Sequence, residues 1–303
     1  MTRTYRLASN GPIDLEASCR PFTENRADRA AFSGGTLYRA ARIGAVALIL
    51  KARALAEDEI EVQVEPAEGE QLPPDKVIVA GLRRKFSLDL DLPAFYGFLE
   101  TVPELRGMAA DHRGLRPLRK DSLLEALVLA IADQQVNVAF AAELKERLLT
   151  RYGQRYDVAG HALWLFPRAE VLAALEEHAL RPLQYTRNKS SYITGLARKF
   201  LQQPEWERLA GRDAEIVERL IQLRGIGRWT AEYGAMLGLG VTDTLPAADI
   251  ALLRMVQSAY GLPQRPTEQE LRRIGEGWSP WRGMVTFYLW RQEEFIAETD
   301  AIL

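Results

Sequence analysis

The chain has 303 residues, 47% hydrophobic and 26% charged, with a formal net charge of −2, a length suited to two or three domains with cores of their own. One cysteine, Cys19, excludes an internal disulfide and a Cys-ligated cluster, and His112, His161 and His178 lack zinc-ligand spacing. No apolar run follows the first arginines and the longest apolar stretch, residues 44–50, is too short to cross a bilayer, so the expectation is a soluble, intracellular protein with no metal and no membrane segment.

Up to about residue 85 the signals are mostly those of strands. Residues 60–66 (IEVQVEP) alternate apolar and polar, and residues 36–52 read as β-rich segments around Gly44. Turns are marked by Gly11–Pro12, Gly34–Gly35 and Pro73–Pro74. The predicted fold class is α+β, with a small antiparallel-sheet domain over residues 1–85. Nothing in this segment suggests chemistry.

From residue 86 to 303 the period becomes helical. Residues 122–153 carry apolar positions at three- and four-residue spacing, enough for two helices, and 169–180, 192–202, 213–223, 250–261 and 267–278 continue the pattern. With no further strand signal, an all-helical second domain is expected. Between Glu177 and Glu205 no acidic residue occurs, while Arg181, Arg187, Lys189, Arg198 and Lys199 do. Such a run is either a solvated helix face or a local basic surface for an anionic partner on an otherwise neutral protein.

Residues 213–240 are the most informative. An amphipathic helix ends near Leu223, Gly225 and Gly227 bracket Ile226, and a second helix begins near Arg228. Two helices joined by so tight a glycine turn form a hairpin, the glycines supplying conformations that a Cβ resists. The second helix opens with unpaired N–H groups and the positive end of its dipole, a place for a phosphate. A dinucleotide-binding loop is a poor reading of GIGRWT, because a helix precedes it and the third glycine is missing. Downstream, in VTDTLPAADIALLRM (241–255), Asp249 stands where the next helix begins. It is a helix N-cap, a catalytic carboxylate, or both, since a helix N-terminus stabilises negative charge.

LRGIGRWTAEY followed by LPAAD resembles the helix-hairpin-helix DNA glycosylases, and most closely the 3-methyladenine DNA glycosylase II (AlkA-like) family. Residues 129–144, 183–197 and 279–290 (SPWRGMVTFYLW) resemble further family segments in order, and 81–96 resembles the lead into the helical domain. The resemblance implies a helix-hairpin-helix glycosylase domain with a cleft between two helical subdomains. It implies a monomeric enzyme, cytoplasmic and nucleoid-associated if bacterial, needing no cofactor. The partner it implies is double-stranded DNA carrying alkylated bases.

Residue by residue, Asp249 matches the catalytic aspartate, which would stabilise positive charge on the deoxyribose and orient the attacking water. Gly225, Gly227 and the backbone N–H near Thr230 match the phosphate-gripping hairpin. Trp229, Tyr233 and Trp290 match aromatic positions of the base pocket, where core packing is the plain alternative. A lysine at the position of Trp229 makes some relatives cut the strand as well; an indole cannot form a Schiff base, so a monofunctional enzyme is implied. Gln135 stands where the family inserts an apolar wedge. Arg224 replaces a proline and is either a phosphate contact or a solvated helix end. A non-catalytic helix-hairpin-helix DNA-binding protein is the alternative, but binding alone needs neither Asp249 nor the tryptophans.

Overall fold

The computed structural model describes residues 2–23, 30–209 and 213–300. Its first part is a five-stranded antiparallel sheet: β1 (Arg3–Ala8), β2 (Ala31–Ser33), β3 (Thr36–Ile43), β4 (Val46–Ala56) and β5 (Glu59–Pro66), in the order β1-β5-β4-β3-β2. Strand β4 explains the apolar run around residue 47. Leu48, Leu50 and Ala52 pack under helices α1 (Leu15–Thr23) and α2 (Asp75–Lys85), while Ala47 and Ile49 belong to a cluster on the other face. A strand covered on both sides has no polar face to alternate with.

What covers that other face corrects the all-helical expectation. After α3 (Leu92–Thr101), α4 (Met108–Asp111), α5 (Leu123–Asp133) and α6 (Val138–Tyr152) comes a β-hairpin, β6 (Gln154–Val158) and β7 (His161–Leu165). Leu163 and Leu165 of β7 join Ala40, Ala47 and Ile49 on the sheet. Its turn, Ala159–Gly160, has both residues at positive φ (51° and 81°), the backbone of a type I′ hairpin. Alternating QRYDV and HALWL around a two-residue turn is a strand signal, and it was legible in the sequence.

The remaining helices are α7 (Ala169–Ala174), α8 (Arg187–Gln202), α9 (Asp213–Leu220), α10 (Arg228–Gly234) with a π-helical turn at Ala235–Leu239, α11 (Ile250–Ala259), α12 (Glu268–Glu276) and α13 (Arg282–Asp300). They form two clusters. One runs from α5 through the π turn; the other combines α3, α4 and Leu115 with α11, α12 and α13. Residues 92–115 thus precede the first cluster in sequence but pack with the second, so the two cores are not consecutive segments.

Buried charge joins sheet to helices. The Asp121 carboxylate accepts from Lys85 Nζ at 2.5 Å and from the Arg42 backbone N–H at 2.5 Å, with Arg39 at 3.4 Å. Lys85 and Arg39 hold the Asp121 carboxyl below its ordinary range, outweighing the burial that raises it. Arg116, fully buried, donates to the carbonyls of Asn10, Gly11, Pro12, Ser87 and Leu90.

Candidate active site

The hairpin is built as its glycines suggest, but for two different reasons. Gly225 has φ +87°, and a Cβ there would run into the Tyr192 ring. Gly227 has ordinary backbone (φ −82°, ψ 174°) and nothing within 4 Å of where a Cβ would stand. The expectation that both glycines adopt conformations a Cβ resists therefore holds for Gly225 only. At Gly227, the N-cap of α10, the missing side chain leaves the helix entrance open, and no side chain caps it. The first N–H groups of α10 lack intrahelical acceptors by helix geometry.

Gln134, unnoticed in the sequence, ties this turn to the end of α5: its Nε2 donates to the Gly225 carbonyl (3.1 Å) and to Thr230 Oγ1 (2.9 Å). Thr230 is buried, so its side chain serves packing and this bond. The next residue, Gln135, is exposed and held at φ +54°, and nearby Val138 is 86% exposed. Arg224 is exposed and lies over the Tyr192 ring at 5.7 Å.

The basic segment is split, with Arg181, Arg187 and Arg198 on the surface and Lys189 withdrawn from it. Lys189 is buried and its Nζ donates to the Ala132 carbonyl at 2.8 Å, in the last turn of α5; burial lowers its pKa. Arg198 donates to the carbonyls of Ala173 and Leu175 at the end of α7, and Arg181 to that of Tyr185. These cations satisfy orphaned carbonyls at helix ends and turns. Arg187 is exposed.

Asp249 is the N-cap of α11, its Oδ1 accepting from the Leu252 N–H at 2.9 Å. The same oxygen accepts from the Trp290 indole at 3.1 Å, and Oδ2 from the Trp229 indole at 3.1 Å. Tyr233, one turn after Trp229 on α10, stacks on it (centroids 5.4 Å, 28°) and meets Trp290 at 5.8 Å. The structure thus brings Asp249, Trp229, Tyr233 and Trp290 together from three helices. All four are partly exposed rather than sealed in a core, and Ile250 beside them is 62% exposed.

The loop before Asp249 is fixed along its length. Arg282 grips Asp243 through Nε and Nη2 (2.6 and 2.7 Å), Ser279 Oγ donates to the same carboxylate, and the Gly283 N–H donates to the Thr242 carbonyl. Arg282 and Ser279 hold the Asp243 carboxyl below its usual range against a burial cost. Farther along, Arg272 of α12 donates to the Leu245 carbonyl and to the Glu232 carboxylate (2.9 Å) on α10. Glu232 is buried, and that burial raises its pKa despite Arg272. Among the described residues, no group of three or more His, Cys, Asp or Glu side chains could hold a metal ion, and no helix is long and apolar enough to cross a membrane.

Comparison with known proteins places the chain in a family. The family model of the HhH-GPD superfamily of base excision DNA repair proteins matches residues 128–280, half of the chain. The chain belongs to that superfamily. A DNA-3-methyladenine glycosylase of Bacillus subtilis is 34% identical over 218 residues, 71% of each chain. DNA-3-methyladenine glycosylase 2 of Escherichia coli is 31% identical over 189 residues, 61% of this chain and 63% of that one. The solved 3-methyladenine DNA-glycosylase of Archaeoglobus fulgidus superposes with a TM-score of 0.82 over 96% of this chain and 98% of that chain, at 23% identity. It shares the fold from sheet to last helix.

Proposed function

We propose that this chain is a monofunctional DNA glycosylase that flips alkylated bases such as 3-methyladenine and 7-methylguanine out of duplex DNA and hydrolyses their bond to the sugar. The observation that carries it is the Asp249 carboxylate set at a helix N-terminus beside three aromatic side chains. As the base departs, positive charge grows on the deoxyribose; a carboxylate fixed beside it stabilises that charge without reorganising. Water adds to the anomeric carbon, the base leaves with the bonding pair, and the proton lost by water passes to Asp249 or solvent.

N3- or N7-methylated purines are often cationic. The faces of Trp229, Tyr233 and Trp290 suit such a ring, because an aromatic face attracts a cation. A cationic base leaves readily, so a strong general acid is dispensable. Trp229 offers no amine to the sugar, which favours an abasic product with intact strands. The open N-terminus of α10 at Gly227, with the backbone at Thr230, is assigned to a DNA phosphate, and Arg224 to the same strand. Exposed Gln135 is assigned to the gap left by the flipped base. The enzyme would act as a monomer without cofactor, in the cytoplasm and at the nucleoid if bacterial.

The test is base release from duplex DNA treated with a methylating agent, comparing wild type with Asp249→Asn. The expected result is free methylated purine from wild type only, with strands intact until alkali treatment. Full activity of Asp249→Asn would overturn the catalytic assignment. DNA binding without release by either protein would point to a non-catalytic hairpin protein.

A further inference from the structure

We infer that Trp229 and Trp290 act as positioning residues for Asp249 through their indole N–H groups, in addition to walling the pocket, and that Oδ2 is the oxygen that meets the reacting sugar or water. This rests on the glycosylase reading above.

An N-cap needs one bond, and the Leu252 N–H supplies it at 2.9 Å. That bond leaves the carboxylate free to pivot about Oδ1. The two indoles remove this freedom, because they arrive from separate helices, Trp229 from α10 and Trp290 from α13, and end on different oxygens at 3.1 Å. A carboxylate has about four acceptor positions. Oδ1 is committed to Leu252 and Trp290. Among the described residues only Trp229 donates to Oδ2, which keeps one position open.

A partly exposed indole could equally leave its N–H to water; turning both toward one carboxylate fixes its plane before substrate enters. A second consequence follows. With both indole N–H groups on Asp249, neither is available to a flipped base, so these two walls offer it π faces and no donor.

Substituting phenylalanine keeps a ring at each position and removes the donor. Trp229→Phe and Trp290→Phe should each slow single-turnover release of 7-methylguanine by roughly 10- to 100-fold, the scale of small misplacements at a reacting centre. Affinity for a duplex holding an uncleavable abasic analogue should stay within about threefold, as this reaction-independent probe does not need Asp249 oriented. Wild-type release rates in both phenylalanine variants would overturn the inference, as would equal losses in rate and affinity. A second measurement reads the hydrogen bonds without any assay of activity. The chain has six tryptophans, and in ¹⁵N-labelled protein two indole N–H signals should move in Asp249→Ala, the two absent from the Phe variants' spectra. If no indole signal moves, the hydrogen bonds are not there. Should Asp249→Asn remain active, the catalytic reading itself fails; should it be dead while both Phe variants keep wild-type rates, only the positioning role fails.

Discussion

Removing Arg272 leaves the Glu232 carboxylate, 5% exposed at its side chain, without its cation. Breaking a buried ion pair by deleting one partner costs about 3–5 kcal/mol. Arg272 is itself one-third exposed, so solvent screening puts Arg272→Ala at the lower end, about 3 kcal/mol. The exposed partner Glu268 adds only about 0.3–0.5 kcal/mol. Glu232 can escape the penalty by taking a proton, and burial already raises its pKa. A carboxyl whose native pKa lies above its unfolded value binds more protons in the native state, so its contribution falls as pH rises through the native value. Without Arg272 that value rises further. The loss in Arg272→Ala should therefore be larger at pH 8 than at pH 5. Urea unfolding of wild type, Arg272→Ala and Arg272→Ala/Glu232→Gln at both pH values measures this, and the double variant should recover more than half the loss at pH 8. Equal losses at pH 5 and pH 8, or no recovery from Glu232→Gln, would refute the reasoning.

Gly225→Ala should destabilise the fold by about 2–3 kcal/mol, from left-handed backbone and displacement of Tyr192. Gly227→Ala should unfold within about 1 kcal/mol of wild type yet bind duplex DNA more weakly, because its methyl projects into open space at the entrance of α10; equal stability losses in urea would contradict the distinction. Lys189→Met should cost about 1–3 kcal/mol by orphaning the Ala132 carbonyl, while the log–log salt slope of DNA binding stays at its wild-type value. A shallower slope would return Lys189 to the DNA face. Asp121→Asn should destabilise by about 3–5 kcal/mol by stranding Lys85 and Arg39. Wild type should lose the Asp121 contribution as pH falls through the depressed native pKa, whereas Asp121→Asn should lack that part of the acid dependence in thermal melts.

The short-range features were legible because their physics is local. Asp249 as an N-cap depends on residues three apart, Gly225 on a turn of a few residues, and the helices on their own apolar period. The β6–β7 hairpin was equally local, and reading it needed only the alternation and a turn without asparagine. Residues 92–115 read as helical, but nothing local says that they pack with residues 245–290 rather than with the helices that follow them. The same limit governs charge. A lysine in a basic run has one composition whether water surrounds it or, as at Lys189, it ends on a carbonyl 57 residues away.

At the candidate site, sequence motifs picked out Asp249, Trp229, Tyr233 and Trp290, but not that both indoles point their N–H groups at one carboxylate, or that Gln134, Arg272 and Arg282 brace the surrounding turns. These partners lie 20 to 91 residues apart. Hydrogen bonds act over about 3 Å. The sequence determined which side chains were available for them, and only the folding of α10, α12 and α13 around one loop decided which of them would meet.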